Sequence, residues 1–212
     1  MLHKTFFTFG PFAENTWLFW TDDLQCMIVD PGCYTKSEQA ELEGFITENN
    51  LNPVLLINTH GHIDHILGNA FVHRRYGITP WLNRLDLDIY QGGERYGAVW
   101  GITLETPPDP QLGLEHGSQI SLGEETFEVL FTPGHTPGEV CLVHTAQEFV
   151  IVGDVLFRMS IGRTDLPGGH HPTLIKSIQE QLFSLPDSFE VFCGHGPSTT
   201  IGFEKLNNPF LS

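Results

Sequence analysis

Four times in this chain a short apolar run ends in a glycine-bearing turn that delivers a histidine or an aspartate. "VLLINTHGHIDH" (54–65) is the first, followed by "FEVLFTPGHTPG" (127–138), "FVIVGD" (149–154) and "FEVFCGHG" (189–196). A turn needs no histidine. Apolar runs of this length read as buried strands, and strand ends gathered at one edge of a sheet are where α/β proteins place their chemistry. The fold must therefore bring four distant strand ends together.

The rest of the chain supplies such a frame. "HKTFFTF", "NTWLFW" and "QCMIVDPG" read as short strands separated by Gly, Pro and Asp. The spacing then predicts an amphipathic helix over 35–50, with Thr35 and Glu38 as a capping box and Leu42, Phe45 and Ile46 on one face. "NPVLLIN" is a strand, and "HIDHILGNAFVHRRYG" (62–77) reads as one helix. In the less legible stretch 84–117, "RLDLDIYQGGERYG" reads as a short helix and "TLETPPDPQLG" (103–113) as loop. Strands resume in "SQISLG", "TFEVLFT", "EVCLVHT" and "EFVIVGDV". A Gly/Pro-rich loop over 160–172, a helix over 173–185 and a last strand, "FEVFCGHG", complete the chain. Strands first and a helix after, twice over, predict two packed α/β halves with sheets inside and helices outside.

Within that frame the histidines select the chemistry. His60 and His62 lie two apart past a strand, where extended backbone sends both side chains the same way, while Asp64 and His65 open the next helix. One segment can thus serve two neighbouring divalent ions, with His135, Asp154 and His195 arriving from later strand ends. The two oxygens of Asp154 could bridge such a pair. His3, His73, His116 and His144 read as surface or partly buried, and His170 and His171 as secondary candidates for lining a cleft.

Composition narrows the partners. The chain has 212 residues, 26 acidic and 10 basic side chains and a net charge of −16. Such a surface repels phosphate backbones, which argues against nucleic acid and anionic membranes but not against a small anionic substrate, because a metal or an arginine inverts the local field. The four cysteines form no CxxC pair, so neither a structural zinc site nor a disulfide framework is expected. No segment reaches the length of a membrane span, and the cytoplasm is the default location.

"THGHIDH", "PGHTPG", "GD" and "GHGP", in this order and spacing, resemble the metallo-β-lactamase superfamily from "VDPG" (29–32) to "NNPFL" (207–211). The resemblance implies an αββα sandwich over a single domain, 1–212, with a metal pair at the sheet edge. By motif match one ion takes His60, His62 and His135 and the other Asp64, His65 and His195. Asp154 bridges them, Asp64 and Asp154 are the carboxylates expected to serve catalysis, and Asp30 supports the site. "GDVLFRMSIGRTDLPGG" (153–169) is similar to the glyoxalase II and persulfide dioxygenase branch, where a basic residue at the position of Arg163 helps hold glutathione. The chain ends without the helical glutathione-binding extension of long glyoxalase II enzymes, and more closely resembles the short bacterial type.

The reaction so implied is hydrolysis of a thioester such as S-lactoylglutathione to a hydroxy acid and a thiol. Water acidified between two divalent ions serves as nucleophile. Zinc is the first expectation for both ions, with iron or manganese as alternatives set by availability. Arg158 and Arg163 are the candidate anion clamps. Cys193 reads as a buried strand residue rather than a nucleophile. Two rivals share the motifs: a mononuclear iron persulfide dioxygenase using His60, His135 and Asp154, and a hydrolase of lactones or β-lactams. A non-catalytic binding protein would have no use for seven filled ligand positions, since buried unpaired imidazoles and carboxylates are costly.

Overall fold

The computed structural model describes residues 1–211. The first half forms a six-stranded sheet in chain order: β1 (Leu2–Phe9), β2 (Glu14–Thr21), β3 (Gln25–Val29), β4 (Asn52–Ile57), β5 (Pro80–Leu82) and β6 (Gln111–Leu112). Between these strands lie α1 (Lys36–Glu48), α2 (Ile63–Ile66), α3 (Asn69–Tyr76), α4 (Leu87–Gln91) and α5 (Gly93–Val99). The second half contributes β7 (Gln119–Leu122), β8 (Glu125–Phe131), β9 (Val140–His144), β10 (Phe149–Gly153) and the small hairpin β11 (Leu156–Phe157) and β12 (Ser160–Ile161). It continues with α6 (His171–Ser177), β13 (Glu190–Cys193), β14 (Thr199–Thr200) and α7 (Ile201–Asn207). Its sheet runs β14-β13-β10-β9-β8-β7.

Alternation along the strands explains the layering. Trp17 and Phe19 of β2 and Met27 and Val29 of β3 face Phe127, Leu142, Phe149, Ile151 and Phe192 of the other sheet, in one continuous core. The intervening residues turn outward: Leu18 and Ile28 pack with Leu42, Ile46, Phe71 and Val72 of α1 and α3. On the far side Val150, Val152 and Val191 meet Leu174, Ile178 and Ile201. Both faces of the central strands are buried, giving the helix–sheet–sheet–helix order expected from the motifs.

The capping box at Thr35 and Glu38 forms as the sequence predicts. Four expectations need correction. The predicted helix over 62–77 breaks into α2 and α3, because Gly68 N donates to Pro31 O at 2.7 Å and a Cβ there would lie 2.5 Å from Cys33 Sγ. That close approach to the Asp30–Gly32 turn forces the chain sideways. The stretch read as loop over 103–113 ends in β6, an edge strand paired with Trp81 and Leu82, and the stretch read as loop over 160–172 contains β12 and the first turn of α6. His144 is fully buried, its Nε2 2.9 Å from Glu125 Oε2 and its ring stacked on Phe149. All four cysteines are free and buried, and among the described residues no helix is long and apolar enough to cross a membrane.

Candidate metal centre

Each strand end presents its side chain through a backbone device. His60 and His62 follow β4, separated by Gly61, where a Cβ would lie 2.9 Å from Tyr90 N. His62 sits at the N-terminal cap of α2, which carries Asp64 and His65. His135 follows Gly134, which has a φ of +138° and packs so tightly on the backbone of Leu174 that any Cβ would collide with it, so only glycine fits. Asp154 follows an irregularity in the β10–β13 ladder between Ile151 and Gly153, the last at φ +51°. Such a bulge re-aims the next side chain. His195 follows Gly194, where a Cβ would press on Asp154 Oδ1.

These devices converge. The side-chain ligand atoms of His60, His62 and His135 lie within 4.8 Å of one another, as do those of Asp64, His65 and His195. The carboxylate of Asp154 stands between the two sets: Oδ1 is 3.3 Å from His65 Nε2, and Oδ2 is 3.6 Å from both His135 Nε2 and His195 Nε2. Asp64 Oδ2 is 3.2 Å from His195 Nε2 and 3.9 Å from His65 Nε2.

Four of the remaining ring nitrogens face outward, while His62 Nδ1 lies 2.8 Å from His135 Nε2 within the first set. His135 Nδ1 lies 2.7 Å from the carbonyl of Arg163, and His195 Nδ1 lies 3.1 Å from that of Phe12. His65 Nδ1 faces Asp30 Oδ2 at 3.1 Å, and His60 Nδ1 faces Thr59 Oγ1 at 3.1 Å and Glu139 Oε1 at 3.6 Å. On His60, His135 and His195 these acceptors hold the proton on Nδ1 and leave Nε2 facing the centre. Nε2 of His60, Nε2 of His65 and Oδ1 of Asp154 are buried without hydrogen-bond partners. Orphaned polar atoms are costly, and two divalent cations, one at the His60 set and one at the His65 set with Asp154 shared, would satisfy all three. The donor set fits such ions.

Electrostatics divides the imidazoles. Burial, reinforced by the charge of His65, holds His60 far below the usual histidine range, and burial and His135 bring His62 down to about 3. Burial opposes charge on His65 too, but Asp154, Asp64 and Asp30 outweigh it and raise its pKa well above normal. His195 is raised in the same way, against burial, by its hydrogen bond to Asp64 and by Asp154. Asp64 and Asp154 are lowered despite burial, chiefly by His65. Above pH of about 6.5, the unfolded value for histidine, His60 and His62 are neutral folded or unfolded. His65 and His195 there hold protons that the unfolded chain has released. Metal-free protein is therefore expected to lose stability as pH rises above about 6.5, read as a falling chemical-denaturation midpoint. A midpoint that rises over this range would contradict the assignment.

Three buried carboxylates escaped the sequence reading. Asp86 accepts from Gly61 N (2.8 Å), Thr136 Oγ1 (2.7 Å) and Gly138 N (2.5 Å), clamping the loop of His60 and His62 to that of His135. Glu139 accepts from Asp154 N at 2.8 Å beside His60. Glu14 accepts from Thr16 Oγ1 at 2.9 Å and forms an isolated backbone bridge with His195. Glu139 directly follows "HTPG" and carried a positional signal. Asp86 and Glu14 belong to no motif.

A cleft opens over the centre. Arg163 lines it and forms a two-pronged ion pair with Asp165, at 2.7 and 2.8 Å. Arg158 instead stacks over the Phe203 ring at 5.2 Å and is not among the lining residues, which leaves the anion-clamp expectation to Arg163. His170 and His171 also stand outside the lining, with His170 Nδ1 2.7 Å from Thr173 Oγ1 at the start of α6.

Known proteins resemble this chain in sequence and fold. A family model described as the Metallo-beta-lactamase superfamily matches residues 9–195. The hydroxyacylglutathione hydrolase GloC of Haemophilus influenzae is 36% identical over 204 residues, covering 95% of this chain and 94% of its own. A solved structure of TTHA1623 in a di-iron-bound form superposes with a TM-score of 0.88 at 36% identity, covering 98% of this chain and 100% of that one. The BLEG-1 B3 metallo-beta-lactamase superposes with a TM-score of 0.88 at 34% identity, covering 99% and 100%.

Proposed function

The chain belongs to the metallo-β-lactamase superfamily, and from that premise we propose that it is a two-metal hydrolase of small thioesters, with S-lactoylglutathione as reference substrate. The supporting observation is the carboxylate of Asp154 facing both ligand sets at once. His60, His62 and His135 would hold one ion and Asp64, His65 and His195 the other, with Asp154 shared. Bound there, a pair of divalent ions supplies Lewis acidity and water acidified towards neutrality.

The chain does the positioning. The Arg163 and Phe12 carbonyls fix the His135 and His195 rings, and Asp30 steers His65 while accepting from Thr59 N at 2.7 Å. Ile63 and Ile89 wall the cleft and exclude bulk water from the reacting carbonyl. The Arg163 guanidinium can meet one carboxylate of a glutathione conjugate. A thiolate leaves without needing a proton donor, which suits a site with no serine or cysteine nucleophile. Cys193 is fully buried, its thiol pushed up to about 12 by burial, too high to attack at neutral pH.

A single-iron dioxygenase would use His60, His135 and Asp154 and give Asp64, His65 and His195 no task. Their convergence within 4.8 Å favours two ions. The deciding experiment follows S-lactoylglutathione disappearance under argon with metal-replete protein, and again after chelation. Oxygen-independent hydrolysis that falls by about 10³-fold or more on metal removal is the expected result. Oxygen consumption with a glutathione persulfide, or cleavage of a β-lactam with no thioester turnover, would overturn the proposal.

A further inference from the structure

We infer that the substrate this cleft selects carries a bulky apolar group on its acyl or thiol part, held against the paired Phe12 and Trp100 rings. The inference rests on the thioesterase reading and specifies its substrate class. Outward from the candidate metal centre the cleft wall is made by Phe12, Ile89, Tyr96, Trp100 and Leu166. Phe12, from the β1–β2 turn, and Trp100, at the end of α5, meet edge to face with centroids 5.8 Å apart. Trp100 is nonetheless 58% exposed. A large aromatic left in water at the mouth of a cleft marks a binding surface, because covering it is favourable and nothing in the fold covers it.

Charge points the same way. Arg163 is the one arginine or lysine among the described residues lining the cleft, and Asp165 already matches it. A tripeptide thiol would leave one of its two carboxylates without a cationic side chain in the cleft wall and the other competing with Asp165 for Arg163. An apolar substituent meets none of these penalties and buries the exposed indole.

The test compares kcat/KM for matched thioesters with metal-replete protein. One arm varies the acyl group, S-lactoylglutathione against S-mandeloylglutathione. The other varies the thiol, the lactoyl thioester of glutathione against that of benzyl mercaptan. A preference of about tenfold or more for the aromatic member in at least one arm, carried mainly by KM and collapsing in Trp100→Ala, is expected. The arm that shows it identifies which part of the substrate the rings hold. Because Trp100 is exposed, the alanine variant should fold, and an unchanged far-UV circular dichroism spectrum checks this. Equal kcat/KM within both pairs, or a preference that survives in Trp100→Ala, overturns the inference and leaves thioester hydrolysis standing. No turnover of any of the thioesters overturns both.

Discussion

Replacing Asp154 with alanine is expected to lower kcat/KM by about 10³-fold or more and to cut bound metal below two equivalents in the same preparation. The expectation comes from position: Oδ1 lies 3.3 Å from His65 Nε2, while Oδ2 lies 3.6 Å from one imidazole of each set. The residue is 8% exposed, so solvent offers the centre little substitute charge. Removing it also removes the leading attraction that keeps His65 protonated in the metal-free protein. Metal content by mass spectrometry and turnover should fall together. A variant that keeps two equivalents of metal and full turnover would show that Asp154 is not shared.

The second large effect is expected away from the reacting atoms, at Asp86. Alanine there leaves three buried donors, from Gly61, Thr136 and Gly138, without an acceptor. Each unsatisfied donor costs about 1–3 kcal/mol. Burial raises the pKa of Asp86, so its charge is itself expensive to bury, and alanine recovers part of that cost. A net loss of about 3 kcal/mol follows, equivalent to roughly 6–12 °C in Tm for a chain of this size. Asp86→Asn keeps one carbonyl oxygen and should lose less. Because the clamp aligns His60 and His62 with His135, metal affinity should weaken in both variants. A Tm within about 2 °C of wild type for Asp86→Ala would rule out the clamp.

The legible parts of this molecule were those where one local rule had no competitor. Apolar runs bounded by Gly and Pro located the central strands, and Thr35 with Glu38 located the start of α1. The convergence of His60, His135, Asp154 and His195 was readable because each ends such a run. What stayed hidden depends on contacts between segments. The break after α2 is imposed by the Pro31 carbonyl, 2.7 Å from Gly68 N, and β6 exists only because Trp81 and Leu82 lie alongside it. Asp86 and Glu14 look like surface acids in a sequence rich in them. Burial makes them part of the site, and burial is set by the whole fold.

The division of the site between the two sheets has a consequence for the lifetime of the protein. His60, His62, Asp64 and His65 extend from the first sheet, and His135, Asp154 and His195 from the second. On the proposed ligand set, each ion draws on both. The cation is then a clasp across the sandwich, and a thousandfold excess of free metal over its Kd adds about 4 kcal/mol to stability. A cell starved of that metal would hold a loosened chain more open to proteolysis. Metal supply would set how much of this protein exists as well as how fast it works.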